Sequence, residues 1–210
     1  MRLAELDAVT VDGFGTLLEL DSPVAPLVRA LEERGVDRTP SEVARAFAAE
    51  ARHYRRRAHT APDGETLVAL RRECVAVFLR GLAAPLEPQG FVDAFLAALV
   101  FRPAPGAVEA LAVLQSSGLK LAVVSNWDCS LPERLAALGL LGHFEAVITS
   151  AEAGVPKPEP RAFLLALERI GVAASRTLHV GDEEADERGA RAAGMHFAPA
   201  PLSIAVGTLA

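Results

Sequence analysis

Val9-Thr10-Val11-Asp12-Gly13-Phe14-Gly15-Thr16-Leu17-Leu18 is the stretch that decides the fold. Its first three residues are β-branched and suit a buried strand. The run stops on Asp12, a residue that strands avoid, and Gly-x-Gly-Thr follows. A carboxylate at the C-terminal end of a buried strand, next to glycines that let backbone approach a ligand, is how an open α/β sheet presents a reactive group. The plainer alternative is that Asp12 only opens a turn, and the rest of the chain must arbitrate.

Outward from that stretch, apolar runs predict strands at 8–12, 119–125, 146–149 and 177–181, with a weaker one at 195–198. Helical patterns at 106–117, 131–138, 160–170 and 184–193 alternate with them. Gly118, Gly139, Gly171 and Gly194 each stand just past a helical run, where a left-handed C-cap is wanted. Strand and helix in alternation, joined by short loops, predict an α/β fold with a Rossmann-like, doubly wound parallel sheet. The long interval after the first strand holds no convincing strand. It reads as helices at 23–34, 41–57, 65–82 and 88–101, hence as an inserted all-α cap domain. The expected division is a core of 1–18 and 103–210 and a helical unit of 19–102. The hinges would fall at 18–22 and 102–106, the second stiffened by Pro103 and Pro105. The uncharged tail, 199–210, has no pattern that places it.

Composition narrows the function classes. A net charge of −6 argues against non-specific nucleic-acid binding, which needs a basic footprint. No apolar run reaches the roughly 18 residues that span a membrane. The acids Glu5 and Asp7 sit where a secretory signal would be apolar, so a cytoplasmic location is expected. Cys74 and Cys129 lie far apart, outside any disulfide or zinc pattern. Lysine occurs only at Lys120 and Lys157 among many arginines, which makes each lysine easy to interrogate.

Four loops leave the C-terminal edge of the expected sheet. They carry Asp12 to Thr16, then Ser125-Asn126-Trp127-Asp128, then Gly154-Val155-Pro156-Lys157-Pro158, then Gly181-Asp182-Glu183-Glu184-Ala185-Asp186. Carboxylates, a hydroxyl, a lysine and glycine-permitted amides form the inventory for moving a phosphoryl group with magnesium. Each feature also has a plainer reading. The acids 182–187 could favour a helix N-terminus, Ser125 could cap the helix after it, and Lys157 could be an exposed loop residue. Trp127 suits packing, Cys129 an inert small hydrophobe, and His179 a satisfied core histidine. The basic run 52–57 suits a solvated helix face, with an anion contact as its alternative.

The ordered set resembles the haloacid dehalogenase-like hydrolase superfamily, whose pattern runs D-x-(D)-x-T, S/T, K, then GD-x(3,4)-D, with a helical cap between the first two motifs. The resemblance implies that Asp12 is a nucleophile forming an aspartyl-phosphate. It implies that Thr16 and Ser125 hydrogen-bond phosphoryl oxygens, helped by the backbone amides of Gly13 and Asn126. Lys157 would offset charge repulsion. Asp182 and Asp186 would hold Mg2+ beside Asp12 and the backbone carbonyl of Phe14. The implied partner is a small-molecule phosphate ester, with no nucleic acid or membrane, and the implied assembly a monomer or homodimer.

One departure matters. Phosphatases of the superfamily place a general acid two residues after the nucleophile, where this chain has Phe14. An apolar residue there is the mark of the superfamily's 2-haloacid dehalogenases, which makes that activity the leading alternative. Dehalogenases need no magnesium and carry a serine- and asparagine-rich fourth loop, unlike Asp182 to Asp186. Phosphonoacetaldehyde hydrolases also lack the second aspartate but need a cap lysine, and none occurs before Lys120. A non-catalytic phosphate-binding protein is the remaining class. If catalysis keeps an acid, a cap histidine (His53 or His59) or a water is the candidate.

Overall fold

The computed structural model describes residues 2–208. The chain divides into two compact units, Met1–Glu19 with Arg102–Ala210, and Leu20–Phe101.

The first unit is built on five parallel strands: β1 (Ala8–Val11), β4 (Lys120–Ser125), β5 (Ala146–Thr149), β6 (Thr177–Gly181) and β7 (His196–Pro199). Their order is β5-β4-β1-β6-β7, so β1 is central and strand order reverses beside it. The reversal leaves a crevice at the C-terminal ends of β1 and its neighbours, where open sheets bind ligands. Strand alternation sends Ala8, Ala122, Val124, Ala146 and Ile148 to one face. There they pack with Phe163, Ala166, Leu167 and Ile170 of α8 (Arg161–Ile170) and Ala190 of α9 (Glu184–Ala192). The alternate residues, among them Val9, Val11, Leu121 and Val123, are buried on the opposite side. Helix α5 (Ala107–Ser116) contacts β4, and α10 (Leu202–Gly207) contacts β6. Both faces are thus covered, which is why the strands read as continuous apolar runs. Two short helices, α6 (Leu131–Ala137) and α7 (Ser150–Ala153), complete this unit.

The second unit is helical: α1 (Val24–Glu32), α2 (Pro40–Arg57), α3 (Gly64–Gly81) and α4 (Pro88–Ala97). Thr39 caps α2 in a reciprocal box with Glu42, and Pro40 occupies the first helical position, where no amide is needed. Asp63 and Thr66 cap α3 in the same way. The unit's core gathers Leu27, Leu31, Val43, Val75 and Phe78 with Phe91 and Phe95. Phe78 stacks on Phe91 at 6.1 Å between centroids and tilts against Phe95 at 5.1 Å.

The structure corrects three expectations. The interval after β1 contains two short strands, β2 (Leu18–Leu20) and β3 (Phe101–Pro103), which pair with each other where the chain passes between units. Three residues are too few to show alternation, and the proline in Phe101-Arg102-Pro103 masks the second. The last cap helix stops at Ala97, short of 101. The patternless tail forms α10, which buries Leu202, Ala205 and Val206; Leu209 and Ala210 lie outside the described residues.

Candidate active site

Parallel register brings the distant motifs together. Val11, the last residue of β1, is level with Val123 of β4 and Val180 of β6. The Asp12 amide donates to the Val180 carbonyl at 2.9 Å, so the carboxylate emerges at the sheet edge between Ser125 and Asp182. Gly13 lies against Ser125: a Cβ there would come within 2.7 Å of the serine Oγ. Gly15 has φ +90°, which L side chains rarely adopt, and a Cβ there would collide with the Asp182 carboxylate. Both glycines are therefore required for the two flanking loops to close on Asp12. Thr16 is buried, with its hydroxyl 3.5 Å from Asp182 Oδ1. Phe14 is 40% exposed on the turn that these residues form.

Lys157 is the hub. Its ammonium donates to Asp12 Oδ1, to Asp186 Oδ1 at 2.5 Å and to the Val124 carbonyl at 3.1 Å. Asp12, Lys157 and Asp186 are all buried, which overturns any exposed-loop reading of the lysine. Burial works against the ammonium charge, but the carboxylates of Asp12 and Asp186 outweigh it and raise the Lys157 pKa. Burial also opposes the Asp186 charge, yet the His179 hydrogen bond and the lysine hold that carboxyl down at about 2. For Asp12 burial wins and its pKa is raised, with Asp186 adding to the push and Lys157 opposing it. Partial burial, then the charges of Asp186 and Glu183, push Asp182 up as well.

The loop bearing Lys157 is held by the side chain of Asn126, for which the resemblance implies only a backbone role. Asn126 accepts from the Lys157 amide at 2.7 Å and donates to its carbonyl at 3.3 Å. Ser125 does not cap the following helix; Ser130 stands at that N-cap position. Trp127 is buried, and its carbonyl accepts from Ser150 Oγ at 3.1 Å. Cys129 is partly buried and forms no disulfide. His179 is fully buried and satisfied, as a core histidine should be, but one of its partners is Asp186. Its one sequence signal is a polar residue inside an apolar strand.

A carboxylate oxygen from each of Asp12, Asp182 and Asp186 lies within 4.8 Å of the others. One lysine faces three carboxylates, and hard oxygen donors at this spacing suit a small divalent cation. Both oxygens of Asp186 already accept from the protein: Oδ1 from Lys157 and His179, Oδ2 from the Glu183 amide at 3.1 Å. Asp12 and Asp182 are the better-disposed pair for a direct ligand.

An aspartate just past the end of a strand, joined to a serine, a lysine and an acidic loop in this order, matches a known family, whose model covers residues 6–194. The chain belongs to the haloacid dehalogenase-like hydrolases. It is similar to haloacid dehalogenase-like hydrolase domain-containing protein 3 of Bos taurus, 42% identical over 128 residues, 59% of this chain and 51% of that one. It is also similar to the phosphoserine phosphatase of Thermus thermophilus, 43% identical over 93 residues, 43% of this chain and 37% of that one. The chain thus spans about half or less of the length of these curated relatives. Among solved structures, an L-2-haloacid dehalogenase superposes with a TM-score of 0.74 at 20% identity, covering 97% of this chain and 98% of that one; this likeness concerns the fold. Among the described residues, no helix of this hydrolase is long and apolar enough to cross a membrane.

Proposed function

We propose that this hydrolase is a magnesium-dependent phosphatase of small phosphate esters, working through an aspartyl-phosphate on Asp12. The observation that carries the reading is the excess of carboxylate over lysine at the sheet edge: Asp12, Asp182 and Asp186 against Lys157. Anionic groups crowded this closely call for a further cation, which a 2-haloacid dehalogenase does not need. Asp12, Asp182 and the Phe14 carbonyl would hold magnesium, with Asp186 completing the acidic group. When bound, the ion would neutralise phosphoryl oxygens and orient them toward the nucleophile.

The chain's own groups divide the work. An Asp12 carboxylate oxygen attacks phosphorus, forming a P–O bond while the ester P–O bond breaks and the leaving oxygen departs as an alkoxide or aryloxide, which solvent then protonates. Water then attacks the acyl phosphate, returning the Asp12 carboxylate and releasing inorganic phosphate. Lys157 lowers the repulsion between the attacking carboxylate and an anionic substrate. Thr16 and Ser125 donate to phosphoryl oxygens, together with the amides of Gly13 and Asn126. Phe14 supplies no proton, so leaving groups that depart as stable anions are favoured. Names of relatives are in keeping with a phosphatase of small esters, one of them a phosphoserine phosphatase.

Phe14 also favours a second reading, dehalogenation of 2-haloacids. A screen separates the two: p-nitrophenyl phosphate, an alkyl phosphate and 2-chloropropionate, each with magnesium and with EDTA. The account expects phosphate release with magnesium only, faster from the aryl ester. Halide release that survives EDTA, without phosphate release, would establish the dehalogenase instead. Binding of phosphate without turnover of any ester would leave a non-catalytic binding protein.

A further inference from the structure

The polar chain that starts at Asp12 does not end at Asp186. His179 Nε2 lies 3.1 Å from Asp186 Oδ1, the same oxygen that Lys157 holds. On the other side of the ring, Nδ1 lies 2.8 Å from the hydroxyl of Thr10. Thr10 and His179 are register partners on adjacent strands, and both are fully buried. Phe163 packs edge-on against the imidazole at 4.9 Å, and Phe197 lies at 6.4 Å. Polar groups set in so apolar a face cost free energy unless each finds a partner, and here each does. An ionised carboxylate only accepts, so Nε2 must carry the proton it donates. In a neutral ring Nδ1 then accepts, and the Thr10 hydroxyl donates to it.

We propose that Thr10 and His179 are positioning residues, which fix Asp186 and through it the seat of Lys157 beside Asp12. The proposal rests on the phosphatase reading for its consequence, but not for its geometry. The Glu183 amide holds one oxygen of Asp186 and the imidazole holds the other. Lysine therefore meets a carboxylate that cannot turn. An imidazole aimed by a hydroxyl gives that constraint a direction, as outer partners orient the groups that touch a substrate.

Lys157 is one of only two lysines, so its ammonium can be followed directly. In lysine-labelled protein, with Lys120→Arg to assign the signals, the Lys157 Nζ resonance reports its hydrogen bonds. His179→Phe keeps an aromatic ring but removes the donor to Asp186. It should move that resonance and weaken inorganic phosphate binding in magnesium by about tenfold. His179→Gln, which restores an N–H donor, should bring both back toward wild type. Thr10→Val, nearly equal in volume, should shift the imidazole nitrogen signals and give a smaller loss; it carries the test if His179→Phe does not fold. An unmoved Lys157 resonance in His179→Phe, or a wild-type ring without a proton on Nε2, would overturn the proposal. If wild type binds no phosphate, the phosphatase reading fails while the lysine resonance still decides the positioning role.

Discussion

Phe14 occupies the position where a phosphatase of this family would keep its general acid, and on the phosphatase reading the leaving group then departs without a proton from that position. The strand ends at Val11, so the rule that residues two apart share a side does not extend through Gly13 to Phe14. The turn is nonetheless well determined: Gly15 donates to the Leu18 carbonyl at 2.9 Å, and Leu17 to that of Gly13 at 2.9 Å. Phe14→Asp should raise turnover of alkyl phosphates by up to about 10²-fold while changing aryl phosphates much less. Steady-state rates on matched aryl and alkyl esters check this, with circular dichroism to confirm folding. Equal wild-type rates on both classes would mean that another group already protonates the leaving oxygen.

Much of the residue-scale geometry was legible because it follows strand ends. Asp12, Ser125 and Asp182 each stand where an apolar run gives way to small or polar residues, and the parallel sheet does the rest. Lys157 was legible as a candidate, but its burial was not, since a lysine between prolines looks like surface. Thr10 and His179 were not legible as partners. Their contact depends on strand register between segments 169 positions apart, which no local pattern encodes. The role of the Asn126 side chain was hidden for the same reason, because its partner is a backbone 31 residues away.

At the scale of elements, periodicity located the parallel strands and the helices, because the buried faces are continuous. It failed where an element was too short, as in β2 and β3, or lacked charges to mark its faces, as in α10. Within the helical unit, α2 buries Glu50 against α3, where it hydrogen-bonds Cys74. Burial pushes this carboxyl up to about 7 from 4.5. A raised carboxyl binds its proton more tightly folded than unfolded, so stability is full below the unfolded value. It declines as pH rises from about 4.5 to about 7, by roughly 3 kcal/mol in all. Glu50→Gln should remove that decline, leaving it more stable than wild type at pH 8 and similar at pH 4.5. Thermal melts across this range check the sign; parallel curves would mean that Glu50 is not buried in its neutral form.

At the scale of the molecule, the first unit alone holds Asp12, Lys157, Asp182 and Asp186. The helical unit is inserted between the first motif and the others, which leaves the sheet edge intact. On the phosphatase reading, the groups that carry the reaction all belong to this core. The central claim is that Asp12 and a metal act on one phosphoryl group. Crystals grown with magnesium and orthovanadate test it most directly. The account predicts vanadium bonded to an Asp12 oxygen, with magnesium held by the Asp12 and Asp182 carboxylates and the Phe14 carbonyl. Vanadate bound away from Asp12, or magnesium that does not touch the Asp12 carboxylate, would contradict it.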